Sequence, residues 1–205
     1  MTARFITLEG IEGVGKSTNL EFVRELISKA GHEVQVTREP GGTMMAERLR
    51  DIVLHHDDES VPALAELLIM FAGRCLHVEN LIRPVLQSGT WLLCDRFTDA
   101  TYAYQGGGRG QTRERIETLE MWVQQGLEPD LTLLLDADPA VGLARAGARG
   151  EKDRFERERL DFFARVRAAY LERASRYPDR IVIIDAERPL DEVQSSITKH
   201  LQKIL

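Results

Sequence analysis

The run Gly10-Ile11-Glu12-Gly13-Val14-Gly15-Lys16-Ser17, followed by Thr18, carries the residue types that hold a nucleoside triphosphate. Two glycines separated by four residues, then Lys and Ser, have the spacing of a phosphate-binding loop. Glycine admits positive φ and lets backbone N–H groups reach phosphate oxygens with no Cβ in the way. Lys16 supplies a point charge for the β- and γ-phosphates, and the Ser17 hydroxyl suits Mg²⁺. Asp95 ends the apolar run Trp91–Cys94 and fits either a carboxylate that holds Mg²⁺ through its water shell or a helix N-cap. Arg38 and Arg96 end two such runs, and a pair of guanidiniums there can grip a second phosphate bidentately. Either alone would also fit a surface ion pair, which is worth little.

A phosphate loop works only between a strand and a helix. Phe5–Leu8 reads as a buried strand leading in, and Ser17–Ala30 as an amphipathic helix leading out, so the phosphates meet a helix N-terminus. Glu33–Thr37, after the natural C-cap Gly31, reads as the second strand. A helix follows over Thr43–His55, with Leu49, Ile52 and Val53 on one side. Val61–Gln87 carries a long helical pattern bent near Pro84. Trp91–Cys94 is a strand, Thr112–Gln125 a helix and Leu131–Leu135 a strand. Asp138-Pro139 then opens a helix as N-cap and first-turn proline. Glu156–Arg176 reads as a charged helix, Ile181–Ile184 as a last strand, and a final helix starts near Leu190. The Gly106–Gly110 run reads as a mobile loop.

Short apolar strands alternating with helices imply an α/β fold of the P-loop NTPase kind, a five-stranded parallel sheet covered on both faces. Ligands in such sheets sit beyond the carboxyl ends of the strands, here Glu9-Gly10, Arg38-Glu39, Asp95-Arg96, Asp136 and Asp185. The whole chain, 1–205, reads as one domain of ordinary size. Hydrophobic content of 43% and charged content of 29% exclude a disordered or membrane class. No apolar run has the length of a signal peptide or a membrane span, so a cytoplasmic protein is expected. The net charge of −6 argues against nucleic acid as a partner. Cys75 and Cys94 lack metal-ligand spacing and read as reduced, buried thiols.

Three further segments carry a resemblance. Thr37-Arg38-Glu39-Pro40-Gly41-Gly42-Thr43, Asp95-Arg96-Phe97 and Ala103-Tyr104-Gln105-Gly106-Gly107-Gly108 resemble the motifs of thymidylate kinases, nucleoside monophosphate kinases acting on dTMP. The likeness runs from the phosphate loop to the last strand. It implies that ATP and dTMP are the ligands, Mg²⁺ the cofactor and a homodimer the assembly. It further implies that Arg38 and Arg96 bind the dTMP phosphate and that Phe71 stacks on thymine. Arg74, three residues on along the same helix, would hydrogen-bond a thymine carbonyl. Thr101 and Gln105 would complete the base pocket, Tyr104 would exclude a ribose 2′-hydroxyl, and Glu12 would approach the sugar 3′-hydroxyl. The block Arg145–Arg154 resembles the family's lid, placed at about 145–155. Gly13 stands where some relatives carry a catalytic arginine in the phosphate loop. The bacterial type places that arginine in the lid, and Arg149 is expected to fill the role, with Arg145 and Arg154 as alternatives. Adenine would lie between Arg145 and the loop around Ala186. The Val61–Gln87 helix, with Leu64, Leu67, Leu68 and Leu76, is the expected dimer element, although the same face could cover the sheet.

The reaction implied is transfer of the γ-phosphoryl of MgATP to dTMP. Its acceptor is already a phosphate oxygen, so positioning and charge neutralisation by Lys16, Arg38, Arg96, Arg149 and Mg²⁺ carry the catalysis. Other small-molecule kinases, for UMP/CMP, AMP or shikimate, share the loop and lid but not the Phe71, Arg74 and Gln105 constellation. A nucleotide switch is the remaining class, and the Asn-Lys-x-Asp motif of guanine readers does not occur.

Overall fold

Five apolar runs pair as one parallel sheet. In the computed structural model, which describes residues 3–55, 59–147, 154–155 and 158–205, strand β1 (Phe5–Glu9) leads through the glycine loop into helix α1 (Lys16–Lys29). There Asn19, Val23 and Ile27 recur every four residues as the buried stripe. Strand β2 (Val34–Arg38) and helix α2 (Met44–His55) follow. Val53 of α2 is buried, whereas Ile52, expected on the same side, is 48% exposed.

The long helical pattern resolves into α3 (Ala63–His77), a widened π turn over Val78–Ile82 and α4 (Arg83–Gln87). Pro84 lacks the N–H that an α-helical turn would return to residue 80, and the wider turn before it absorbs the mismatch. Strand β3 (Trp91–Asp95) leads to the short α5 (Thr98–Thr101). A second π segment spans Tyr102–Gly108, ahead of α6 (Arg113–Gln124). Strand β4 (Leu131–Asp136) precedes α7 (Pro139–Gly147), whose Ala140 N–H donates to Asp138 Oδ1 at 2.8 Å, the expected cap. Helix α8 (Leu160–Arg176) begins four residues later than its charge pattern suggests, with Arg159 at its N-cap. Strand β5 (Ile181–Asp185) and α9 (Leu190–Leu201) complete the chain.

The strand order is β2-β3-β1-β4-β5, with every pairing parallel. Register sets Leu8 beside Asp95 and Arg38 beside Asp95, so the three charged strand ends rise together. Nearly every side chain of β1, β3 and β4 is buried, as strands covered on both faces require. Cys94 lies in this core, but Cys75 is exposed on α3, contrary to the expectation of two buried thiols.

The Gly106–Gly110 run is not a free loop. A Cβ on Gly107 would lie 2.7 Å from the Arg165 carbonyl oxygen, and one on Gly108 would lie 2.5 Å from the Phe162 ring. The glycines let this segment lie flush against α8, which fixes Tyr104 and Gln105 just before it. Among the described residues, no helix is long and apolar enough to cross a membrane.

Candidate active site

A cavity of about 300 Å³ opens above the carboxyl ends of β1, β2 and β3. Its walls include Glu12, Gly13, Gly15, Lys16 and Ser17 from the glycine loop, and Arg38, Asp95 and Arg96 from the strand ends. Met70 and Arg74 from α3, with Thr101, Tyr104 and Gln105, line the deeper part.

The loop owes its path to glycine. Gly13 has φ +76°, and a Cβ there would sit 1.8 Å from the Gly142 carbonyl oxygen of α7. Gly142 in turn leaves room for the Glu12 carbonyl, so loop and helix meet backbone to backbone. Gly10, Ile11 and Val14 complete the turn, Gly15 stands at the N-cap of α1, and Ser17 and Thr18 lie exposed in its first turn. Lys16 Nζ donates to the carbonyls of Gly10 at 3.1 Å and Ile11 at 2.8 Å. Burial, and then the charge of Arg96, bring its pKa down to about 8.

Arg96 is held in an uncommon backbone shape, with φ +68°. Hydrogen bonds on either side over-determine it. Arg96 N–H donates to Leu8 O at 2.9 Å, and Phe97 N–H donates to Glu9 Oε1 at 2.7 Å. The guanidinium, stacked 4.7 Å over the Tyr104 ring, donates to Glu12 Oε1 at 2.8 Å. Tyr104 Oη donates to both Glu12 oxygens, at 2.8 and 2.7 Å. Burial alone would raise the Glu12 carboxyl, but Arg96 and Lys16 outweigh it and hold it below the ordinary carboxylate range. Arg38, 54% exposed, donates to Glu47 Oε2 at 2.8 Å.

Arg74 is 4% exposed and almost fully engaged. Its Nε donates to Glu39 Oε2 at 2.8 Å, and its Nη2 to Thr101 Oγ1 at 2.8 Å and Phe97 O at 3.2 Å. Nη1 alone is buried without a partner among the described residues. Glu39, which also meets His77 Nδ1 at 2.9 Å, is pushed up by burial but brought below its usual range by Arg74 and His77. Asp95 likewise has a buried oxygen, Oδ1, with no partner among the described residues.

Phe71 departs from the expectation. It does not line this cavity: it is 2% exposed and packs with Leu67, Tyr102 and Ile116. Residues three and four before Arg74 both lie on its side of α3, about 60° to one side and 40° to the other. The cavity receives the i−4 residue, Met70. Leu54, Pro40, Arg50 and Phe155 also line it, and none had a signal of its own in the sequence. Glu39 had one: an acidic residue beside Arg38 at a strand end.

Of the lid-like block, Arg149 lies outside the described residues. Arg145 Nη1 donates to Ala186 O at 2.8 Å, so the two residues expected around adenine are neighbours. Arg154 instead pairs with Glu66 and does not line the cavity. Asp136 and Asp185, both at strand ends, are occupied. Arg167 forks onto Asp136 at 2.8 and 2.8 Å, and Asp185 accepts from Glu187 N–H at 3.0 Å.

Known proteins give the same outline. The sequence model described as thymidylate kinase matches residues 8–197. Thymidylate kinases of Chromohalobacter salexigens and Pseudomonas putida are 56% and 55% identical to the chain. The first alignment covers 98% of this chain and 96% of the relative, the second 100% and 98%. A crystal structure of thymidylate kinase from Ehrlichia chaffeensis superposes with a TM-score of 0.80 at 31% identity, covering 98% of this chain and 99% of that one. With the glycine loop, the strand-end arginines and the full-length match in hand, the chain belongs to the thymidylate kinase family.

Proposed function

We propose that the protein transfers the γ-phosphoryl of MgATP to dTMP, giving dTDP and ADP. One observation carries the reading: a single cavity joins Lys16 and Ser17 to Arg38 and Arg96, and both pairs to the base-reading Arg74 and Gln105. A phosphate oxygen of dTMP forms the new bond to the γ-phosphorus as the bridging bond to ADP breaks. No proton need leave the attacking oxygen, so the chain's task is to bring two anions together. Lys16 leaves the carbonyls it caps to meet the β- and γ-phosphates. Arg96, held in place by Glu12 and Tyr104, and Arg38 take the acceptor phosphate. Arg74 would donate to a base carbonyl, and Met70 would take the apolar wall expected of Phe71. Glu12 and Tyr104 lie together where the sugar edge would pass.

Ser17 and Asp95 would hold Mg²⁺, and the unpartnered Asp95 Oδ1 fits a carboxylate that meets a hydrated cation. When bound, the ion neutralises the phosphates. Among the described residues no cluster of three acidic, His or Cys side chains could hold a metal alone. Arg149 is the lid arginine that would meet the transferring group, with Arg145 on Ala186 O and Arg154 on Glu66 beside it in sequence. Leu64, Leu68, Met121 and Trp122 are 46%, 49%, 64% and 66% exposed. They support α3 and α6 as the surface of the proposed homodimer, and a cytoplasmic enzyme fits the composition. A coupled ADP-release assay with ATP and dTMP, dUMP, UMP, AMP or shikimate tests the reading. The expected result is dTMP used at the highest kcat/KM, and preference for any of the last three refutes it.

A further inference from the structure

Glu66 sits in the apolar run Ala65-Glu66-Leu67-Leu68 of α3 and is 1% exposed. No part of the phosphoryl transfer uses it, yet its carboxylate receives three donors. Gln105 Nε2 reaches Oε1 at 2.9 Å, Arg109 Nε reaches Oε2 at 3.2 Å, and Arg154 Nη2 meets Oε2. Two of these donors are guanidiniums, which cannot accept, so the carboxylate serves here as an acceptor of hydrogen bonds. That settles an ambiguity inherent in any glutamine. With an acceptor-only neighbour, the Gln105 amide has one orientation, nitrogen toward Glu66 and oxygen away from it.

Gln105 lines the cavity beside Arg74, and among the described residues nothing donates to its Oε1. The site therefore offers Gln105 Oε1 as an acceptor in a cavity that Arg74, a donor-only side chain, also lines. A thymine or uracil edge, with N3–H beside the O4 carbonyl, is complementary to that pair. A cytosine edge, with a bare N3 beside an amino group, opposes it at both points.

We infer that Glu66 is a positioning residue for base selectivity: by holding the Gln105 amide oxygen-first toward the cavity, it admits monophosphates of 4-oxo pyrimidines and rejects those of 4-amino pyrimidines. The inference rests on the proposed function and deepens it. Arg154, at the end of the lid-like block, thereby shares the Glu66 carboxylate with the base pocket.

The test compares dTMP with dCMP, as substrate or as competitive inhibitor, in the full-length enzyme and in Glu66→Gln. A neutral amide at 66 both donates and accepts, so Gln105 is free to turn. The dTMP-over-dCMP preference is expected to fall by about tenfold or more, since a site built for a hydrogen-bonding group discriminates through that group's fixed direction. The double variant Glu66→Gln with Gln105→Glu places an acceptor-only group at 105, and is expected to recover the preference. If both substrates weaken together in Glu66→Gln with their ratio unchanged, the residue is merely structural and the inference is overturned. Should that variant not fold, ¹⁵N spectra of the wild-type protein decide. The Gln105 side-chain NH₂ signals should stay in place when dTMP is added, and a large shift would overturn the inference. A wild-type enzyme that ignores dTMP altogether would instead sink the proposed function beneath it.

Discussion

Replacing Phe71 by Ala separates a core residue from a base-stacking one. At 2% exposure, against Leu67, Tyr102 and Ile116, the ring is almost wholly removed from water. Burying it contributes ~2–3 kcal/mol, and the void left by truncation adds to the loss, giving ~3–5 kcal/mol for such changes. The Arg74 guanidinium lies 4.9 Å from the ring centroid, and losing that contact removes about 1 kcal/mol more. A total near 5 kcal/mol, with a urea dependence of roughly 2 kcal/mol per molar, lowers the unfolding midpoint by about 2.5 M. Met70→Ala should behave in the opposite way. Met70 is only half-buried and lines the cavity, so its loss should cost under about 1.5 kcal/mol of stability. It should raise KM for dTMP about tenfold, the cost of one lost apolar contact of ~1.4 kcal/mol. Urea unfolding by circular dichroism and steady-state kinetics on both variants settle the matter. A Phe71→Ala protein of wild-type stability but with a raised KM for dTMP would refute the assignment of the two side chains.

Glu9 is pushed up to about 8 from an ordinary 4.5, by burial first and then by the charge of Asp99. Between those two values the native state keeps a proton that the unfolded chain has lost, so stability falls as pH rises from about 4.5 to about 8. Glu9→Gln should flatten that part of the melting-temperature profile, and an unchanged slope would contradict the assignment. Gly142→Ala should weaken ATP binding without touching nucleotide, because its Cβ would lie 2.6 Å from the Glu12 carbonyl oxygen. Helix propensity alone favours Ala there by about 1 kcal/mol, so equilibrium binding of a fluorescent ATP analogue distinguishes the effects. Asp95→Asn should raise the Mg²⁺ concentration for half-maximal rate at least about tenfold, with dTMP affinity nearly unchanged. A magnesium titration of the initial rate checks it.

Strands were the most legible elements, because a sheet covered on both faces demands runs such as Trp91–Cys94 and Leu131–Leu135 with no polar alternation. The glycine loop was legible for a different reason: its backbone geometry restricts residue type at fixed spacing. Legibility failed where helical phase alone had to choose. Met70 and Phe71 both share a side with Arg74, and only the packing of α3 against Tyr102 and Ile116 selects between them. Consecutive glycines at 106–108 were misleading because they signal either freedom or close contact, and the partner, α8, lies some 50 residues further along the chain. Glu66 was hidden for a related reason. A glutamate in a helix reads as an ordinary helix former until its three donors, all distant in sequence, are assembled around it.

The Nη1 group of Arg74 is buried without a partner among the described residues, its hydration already gone. Shape alone is therefore a poor guide to what will compete for this pocket. A ligand oxygen that reaches that group gains a hydrogen bond a flat hydrocarbon cannot make, a difference of ~1–3 kcal/mol, or roughly ten- to a hundredfold in affinity. An inhibitor that sets an oxygen opposite Arg74 before adding any bulk should gain more than a larger, greasier one.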